Sequence, residues 1–393
     1  MGLANLASYG VTPQRGFLCD FDAAAVTLPD AFAHVRDVAM RLPEILPTGR
    51  VRAVLEALPI PEAEDFAALD DAQARMAMVH YSFMVQSYIW GAQPTVAFLP
   101  RSLAVPMVAI ADRLGQQPLL QYSQYVLDNW GTLDAGKPIA LDNIYMIQKF
   151  AGGTDEAWFV LIHVAIEAQA GQALALFAPL IEAAHARDAD TARALLERIV
   201  SVWEGINAIF HRMPEQCDPY MYFQRVRPYI HGWKDNPALG EGVIYEGVER
   251  YHDLPQAFRG QTGSQSSIVP SMDALLGVGH AADPLRAYLD ELHIYRPPAH
   301  RRFIDDVRAS SGLRAFVREA GDAALARAYN DAIQAVADFR SLHLEYAASY
   351  IHKQNQGAAG NDTDVGTGGT PFMRYLKKHR DETAANLLAV QGA

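Results

Sequence analysis

The sequence predicts a nearly all-α fold. Ala, Leu, Glu and Arg dominate long stretches, and these residues lose least on entering a helix. Alternating β-branched runs, the mark of strands, are scarce. Near the C-terminus, residues at steps of three and four form one stripe of a long helix: Tyr329, Ile333, Val336, Arg340, His343, Ala347 and Tyr350.

In chain order the helix candidates are Pro29–Arg41, Ala67–Trp90, Leu103–Leu114, Asp155–His185, Asp190–His211, Pro284–His293, Ala299–Ala309, Ser311–Glu319, Ala320–His352 and Pro371–Val390. The fourth holds the most apolar run, "AWFVLIHVAIEAQAGQALALFAPL", interrupted by His163, Glu167 and Gln169. A bilayer span needs about 20 apolar residues with few or no charges, so this segment is expected to be a buried helix. Thr370 followed by Pro371 reads as an N-cap before a first-turn proline. "HKQNQGAAGNDTDVGTGG" is a loop by composition. The glycine turn and capped helix start in "KFAGGTDEA" (Lys149 to Ala157) divide the chain into a smaller N-terminal helical domain, 1–150, and a larger one, 151–393.

The chain has 393 residues and a formal charge of -12, with half its residues apolar. That balance argues against nucleic acid and anionic membranes as partners, since phosphate binding needs clustered Lys and Arg. Two cysteines, Cys19 and Cys217, favour a reducing compartment. "MGLANLASYG" has neither the basic nor the apolar region of a signal peptide, and Leu6 stands where myristoylation requires Ser or Thr. A cytoplasmic protein is expected, and the oligomeric state is left open.

His343 shares the core-facing stripe, one turn after Arg340. It is either a buried histidine bonded to a carbonyl or a haem-iron ligand, with Arg340 near a propionate. His163 lies in a helix apolar nearly all round, with Glu167 one turn on. It is either half of a core His–Glu pair or a residue above a metal or substrate. Two Glu-x-x-His tetrads, Glu182 to His185 and Glu249 to His252, raise a di-iron site. The first sits at a polar helix end and the second among glycines and a proline, which argues against it. "GTGGT" lacks the lysine of a phosphate-binding loop.

Several motifs occur in one order: "VLDNW" (from Val126), "YIHGWKDNP" (from Tyr229), "GSQSSIVPSMDALLG" (from Gly263), "YRPPAHRRFI" (from Tyr295), "RSLHLEY" (from Arg340) and "GTGGTPFMRYLK" (from Gly366). Together they resemble the indoleamine 2,3-dioxygenase family over most of the chain. The resemblance implies a mostly helical protein with haem b in the larger domain, the smaller domain covering its distal side. It implies opening of the indole ring of L-tryptophan, or a related indoleamine, by O2 to give N-formylkynurenine. By the same resemblance His343 is the proximal iron ligand and Arg340 lies beside a propionate. Arg227 pairs with the substrate carboxylate. Tyr122, Phe159 and Tyr222 line the indole pocket, and Thr262 and Gly263 stand near the haem edge. Thr367 belongs to a mobile loop, about 355–370, that closes over the substrate ammonium.

The chain departs from the family pattern in places. Ungapped alignment around Glu167 puts His163 where mammalian members carry serine, resembling the distal histidine of tryptophan 2,3-dioxygenase. A shift of one residue would put Ile162 there. Tyr222 replaces phenylalanine, and its hydroxyl is expected to find a partner. Pro228 should distort the helix carrying Arg227, and Gly260–Gln261 replaces a double glycine. Three rival functions stand beside dioxygenation: insertion of one oxygen into an indole or another aromatic, a haem sensor or store without turnover, and a helical interaction scaffold without cofactor.

Overall fold

The computed structural model describes residues 3–354 and 363–390. Among them are twelve α-helices of eight residues or more: α1 Ala33–Met40, α2 Asp71–Trp90, α3 Arg101–Leu114, α4 Thr154–Leu174, α5 Phe177–Ala186, α6 Ala189–His211, α7 Ile268–Leu276, α8 Pro284–His293, α9 Pro298–Ser310, α10 Leu313–Ala320, α11 Ala323–Ala347 and α12 Phe372–Ala384. Among the described residues strands form two small pairs. Phe98–Leu99 runs parallel to Ile244–Tyr245, and Trp130–Thr132 runs antiparallel to Ile144–Met146. The fold is all-α, as the sequence predicts.

Helix starts follow capping chemistry. Asp70 accepts from the Gln73 amide at 2.8 Å and Gln73 from the Asp70 amide at 3.0 Å, a reciprocal box that opens α2. Asp188, Asp283 and Asp322 cap α6, α8 and α11 through side-chain oxygens. Helix α2 packs against α1 and α3, and α4 packs against α6. Helix α11 lies against α6 on one side and α12 on another. One apolar core runs through both groups, including Val35 and Ala77 as well as Leu196 and Ile333.

The expected boundary turn is a packed junction. Phe150 is fully buried, stacked on Phe83 at 4.2 Å and on Tyr229 at 5.0 Å. Glu156 in the first turn of α4 accepts the amides of Phe150 and Gly152 at 2.6 and 2.8 Å. Burial pushes its carboxyl up to about 7.

The expected helix Asp155–His185 is two helices, α4 and α5. Pro179 has no N–H to give the Ala175 carbonyl, and a proline is tolerated only in a first turn, so a new helix starts at Phe177. The segment Thr154–Ala186 has the length and hydropathy to cross a bilayer, but 72% of its apolar window is buried inside the fold. Thr370 is not an N-cap. Its carbonyl accepts from the Gly366 amide at 2.8 Å, and Pro371 stands before α12. Of the expected loop 355–370, residues 355–362 lie outside the described residues.

Candidate functional site

Helix α11 brings its stripe to the centre of the molecule. Tyr329, Ile333 and Val336 are fully buried and anchor it. One to two turns on, the packing stops at a cavity of about 890 Å³, lined by Phe339, Arg340 and His343 among others. Helix α6 supplies Trp203, Ile206 and Phe210 to the same wall, and α7 with its lead-in supplies Ile268, Val269 and Ala274. The His343 ring lies 6.3 Å from that of Phe210. Burial, with the charges of His163 and Arg340 adding to it, pushes the imidazole down to about 4. It is therefore neutral at physiological pH, and among the described residues it makes no hydrogen bond. A neutral imidazole projecting from a rigid helix into a cavity is the donor that a metal ion requires.

His163 on α4 lines the same cavity, whereas Ile162 is fully buried in the core. The His163 Nδ1 is 2.7 Å from the Phe159 carbonyl oxygen. A carbonyl only accepts, so Nδ1 carries the proton and Nε2 is left as an acceptor. Burial lowers the proton affinity of this ring too. The expected His163–Glu167 bond does not form, because Glu167 is taken elsewhere. Its Oε1 accepts from the Tyr122 hydroxyl at 3.0 Å and the Ser266 hydroxyl at 2.9 Å, while Oε2 is buried without a partner. Burial pushes this carboxyl up to about 7, against the two hydroxyls that favour its ionised form.

A smaller cavity of about 140 Å³ opens beside the first, and His163, His343, Gly263 and Ser264 line both. Its walls are aromatic. Phe159 lies 4.7 Å from Tyr222 and 4.8 Å from His163, and Tyr222 meets Tyr350 edge-on at 5.8 Å. The Tyr222 hydroxyl, expected to find a partner, has none among the described residues. A side chain at Gly263 would meet no atom within 4 Å, so this position opens onto the cavities. Thr262 caps the short turn that carries it.

Gly366, Thr367 and Gly368 of the glycine-rich stretch line the smaller cavity. The Thr367 hydroxyl donates to the Gln261 carbonyl at 2.6 Å, and its own carbonyl accepts from the Gly232 amide at 3.2 Å. Arg259, buried, donates to the Gly368 carbonyl and to Asp235, both at 2.8 Å, and to Glu291 at 2.9 Å. Gly232 and Gly260 make this docking possible. A Cβ on Gly260 would lie 2.2 Å from the Gly232 nitrogen and 2.5 Å from the Thr367 oxygen.

Arg227 is fully buried and lines neither cavity. Its Nη2 donates to the Val365 carbonyl at 2.6 Å, and Nη1 lies 3.3 Å from His231 Nε2. The backbone around it is distorted, as Pro228 predicts: a π turn over Tyr222–Val226 gives way to a 3₁₀ turn over Arg227–Ile230. Arg340 reaches the larger cavity, but its fork is held by Asp273 at 2.6 and 3.1 Å. Both Glu-x-x-His tetrads are exposed, Glu182 with His185 and Glu249 with His252.

Sequence reasoning missed Ser266, Asp273, Arg259 and Arg296, all of which the fold brings to the site. Each lay in or beside a motif already noted, and a charged residue among glycines was the available signal for Arg259.

Among the described residues no three or more His, Cys, Asp or Glu side chains are clustered to hold a metal ion. A metal on His343 must then bring most of its ligands with it, as a porphyrin does. The cavity size, the aromatic rings of Trp203, Phe210 and Phe339 on its walls, the arginines that could meet acidic side groups, and the unbonded His343 imidazole fit that group. A sequence profile of the family described as "Indoleamine 2,3-dioxygenase" matches residues 5–386. The chain is 32% identical to indoleamine 2,3-dioxygenase 1 of Rattus norvegicus over 377 residues, covering 92% of this chain and 91% of the relative. It is 29% identical to indoleamine 2,3-dioxygenase 2 of Mus musculus, covering 98% and 96%. It is 29% identical to the indoleamine 2,3-dioxygenase of Saccharomyces cerevisiae, covering 97% and 93%. The chain belongs to the indoleamine 2,3-dioxygenase family, and so is a haem-dependent dioxygenase.

Proposed function

We propose that the protein holds haem b through His343 and opens the C2–C3 bond of L-tryptophan with O2, giving N-formylkynurenine. The observation that carries this reading is the neutral His343, unbonded and facing a cavity of about 890 Å³ that His163 also lines. When bound, a haem held by one imidazole supplies the redox chemistry that activates dioxygen.

The chain's own residues then have positioning work. The indole ring packs against the aromatic wall that Phe159 and Tyr222, 4.7 Å apart, form in the smaller cavity. His163 Nε2, an acceptor by its tautomer, takes the indole N–H. A carboxylate is a stronger acceptor than a peptide carbonyl, so the substrate carboxylate displaces the Val365 oxygen from Arg227. The Thr367 hydroxyl, donating to Gln261, keeps lone pairs to accept from the substrate ammonium. Holding the reacting bond in place supplies most of the rate, and the docked loop keeps water out.

Turnover of L-tryptophan under labelled dioxygen tests the reading. Two labelled atoms in the product are expected. One labelled atom would make the protein a monooxygenase, and a normal haem spectrum without turnover of any indole would make it a haem store.

A further inference from the structure

The larger cavity is strongly cationic for a chain of formal charge -12, with six arginines and three aspartates on its walls. Three of the arginines are matched by carboxylates. Arg340 is held by Asp273, Arg308 pairs with Asp305 at 2.8 Å, and Arg286 with Asp290 at 2.7 Å. Among the described residues Arg314, Arg318 and Arg296 have no carboxylate partner; Arg314 is half-buried and Arg318 exposed, and Arg296 alone of the three is buried. It is 3% exposed, yet among the described residues no carboxylate lies within salt-bridge distance. Its Nε donates to the Ser266 carbonyl at 3.2 Å and Nη2 to the Ser264 carbonyl at 2.7 Å. Nη1 has no hydrogen bond among the described residues. Burial and the nearby Arg308 push the guanidinium down to about 10.

A buried cation solvated only by neutral carbonyls is costly and is retained where an anion completes it. The two carbonyls fix one edge of the planar fork and turn the rest of the group to the cavity wall. We infer that Arg296 is a carboxylate-binding residue of the cavity, supplying the uncompensated charge that Arg340, neutralised by Asp273, does not. This rests on the haem reading above. Two carboxylates can reach the cavity under that reading, a haem propionate and the carboxylate of the amino-acid substrate. The fork suits either equally, so the experiment must separate them.

The test compares the wild type with Arg296→Met and Arg296→Lys, each loaded with haem and with haem dimethyl ester. Haem transfer to apomyoglobin and spectral titration with L-tryptophan and tryptamine are the readouts. If the propionate is the partner, Arg296→Met releases haem about 10- to 100-fold faster, the loss expected for one charge-assisted hydrogen bond. The dimethyl ester removes that difference, and Arg296→Lys restores part of it. If the substrate carboxylate is the partner, haem release is unchanged while L-tryptophan binding weakens by a similar factor and tryptamine binding does not. Unchanged haem release and unchanged L-tryptophan binding in a folded Arg296→Met overturn the inference while leaving the haem reading intact. A wild type that takes up no haem overturns the haem reading instead. Should Arg296→Met fail to fold, Arg296→Lys alone decides, since it keeps the charge but loses the fork.

Discussion

Replacing Asp273 with alanine isolates the charge chemistry at the base of the cavity. The carboxylate receives both Arg340 nitrogens, at 2.6 and 3.1 Å, and His280 Nε2 at 3.3 Å. The Arg340 and Asp273 side chains are only 8% and 15% exposed, so the discount for a solvent-screened pair does not apply. Removing one partner of such a pair costs about 3–5 kcal/mol, because the other charge stays buried and unmatched. A chain of 393 residues has an unfolding entropy of about 0.8 kcal/mol per kelvin, so the expected loss is about 4–6 °C in Tm. The Arg340→Leu, Asp273→Ala double variant should lose less than the sum of the single variants, since no orphaned charge remains. Burial alone would raise the Asp273 carboxyl, but Arg340 and His280 outweigh it and hold it well below the ordinary range. Its contribution is thus present above pH ~4 and fades as pH falls through the depressed native value. Calorimetry of the apoproteins at pH 7, with a repeat at low pH, measures both effects. An Asp273→Ala protein melting within 1 °C (roughly 1 kcal/mol by the same entropy) of the wild type would refute the reasoning.

Four further outcomes are expected. Glu167, raised to about 7 in the fold, stabilises below the unfolded value near 4.3 and loses that contribution as pH rises through 7. Glu167→Gln should therefore gain on the wild type by about 3 kcal/mol between pH 4 and 8, measured by urea unfolding; a pH-independent difference contradicts the raised value. Gly260→Ala pushes a Cβ into the Thr367 oxygen and should release the loop, seen as faster amide exchange at Gly366 to Gly369 with an unchanged haem spectrum. His163→Leu should retain haem but lose about tenfold in preference for L-tryptophan over its 1-methyl analogue, the value of one hydrogen bond; an unaltered ratio of kcat/KM means that Nε2 does not meet the indole N–H. Arg227→Ala should weaken L-tryptophan binding by about 10- to 100-fold with little effect on tryptamine; equal binding of both by the variant and the wild type removes its carboxylate role.

What could be read from the sequence divides along the range of the interactions. The helix stripe exposed His343 because Tyr329, Ile333 and Val336 fix the face and the period is local. Helix α4 is buried nearly all round, so its period could not say which face met a cavity. The His163–Glu167 pairing followed from spacing alone and failed, because Tyr122 and Ser266 arrive from distant segments and occupy Glu167. Arg340 was legible as a residue near the site, but Asp273, 67 positions away, decides its charge balance. The break at Pro179 was legible in principle: the missing N–H is a property of the sequence, obscured by an apolar run on both sides.

The central claim is that His343 holds the iron. Haem titration of His343→Ala, with and without added imidazole, tests it most directly. The account predicts that the variant fails to develop the wild-type Soret band and that imidazole, entering the vacated space, restores it. A His343→Ala protein that takes up one equivalent of haem with the wild-type spectrum, and does not respond to imidazole, would contradict it.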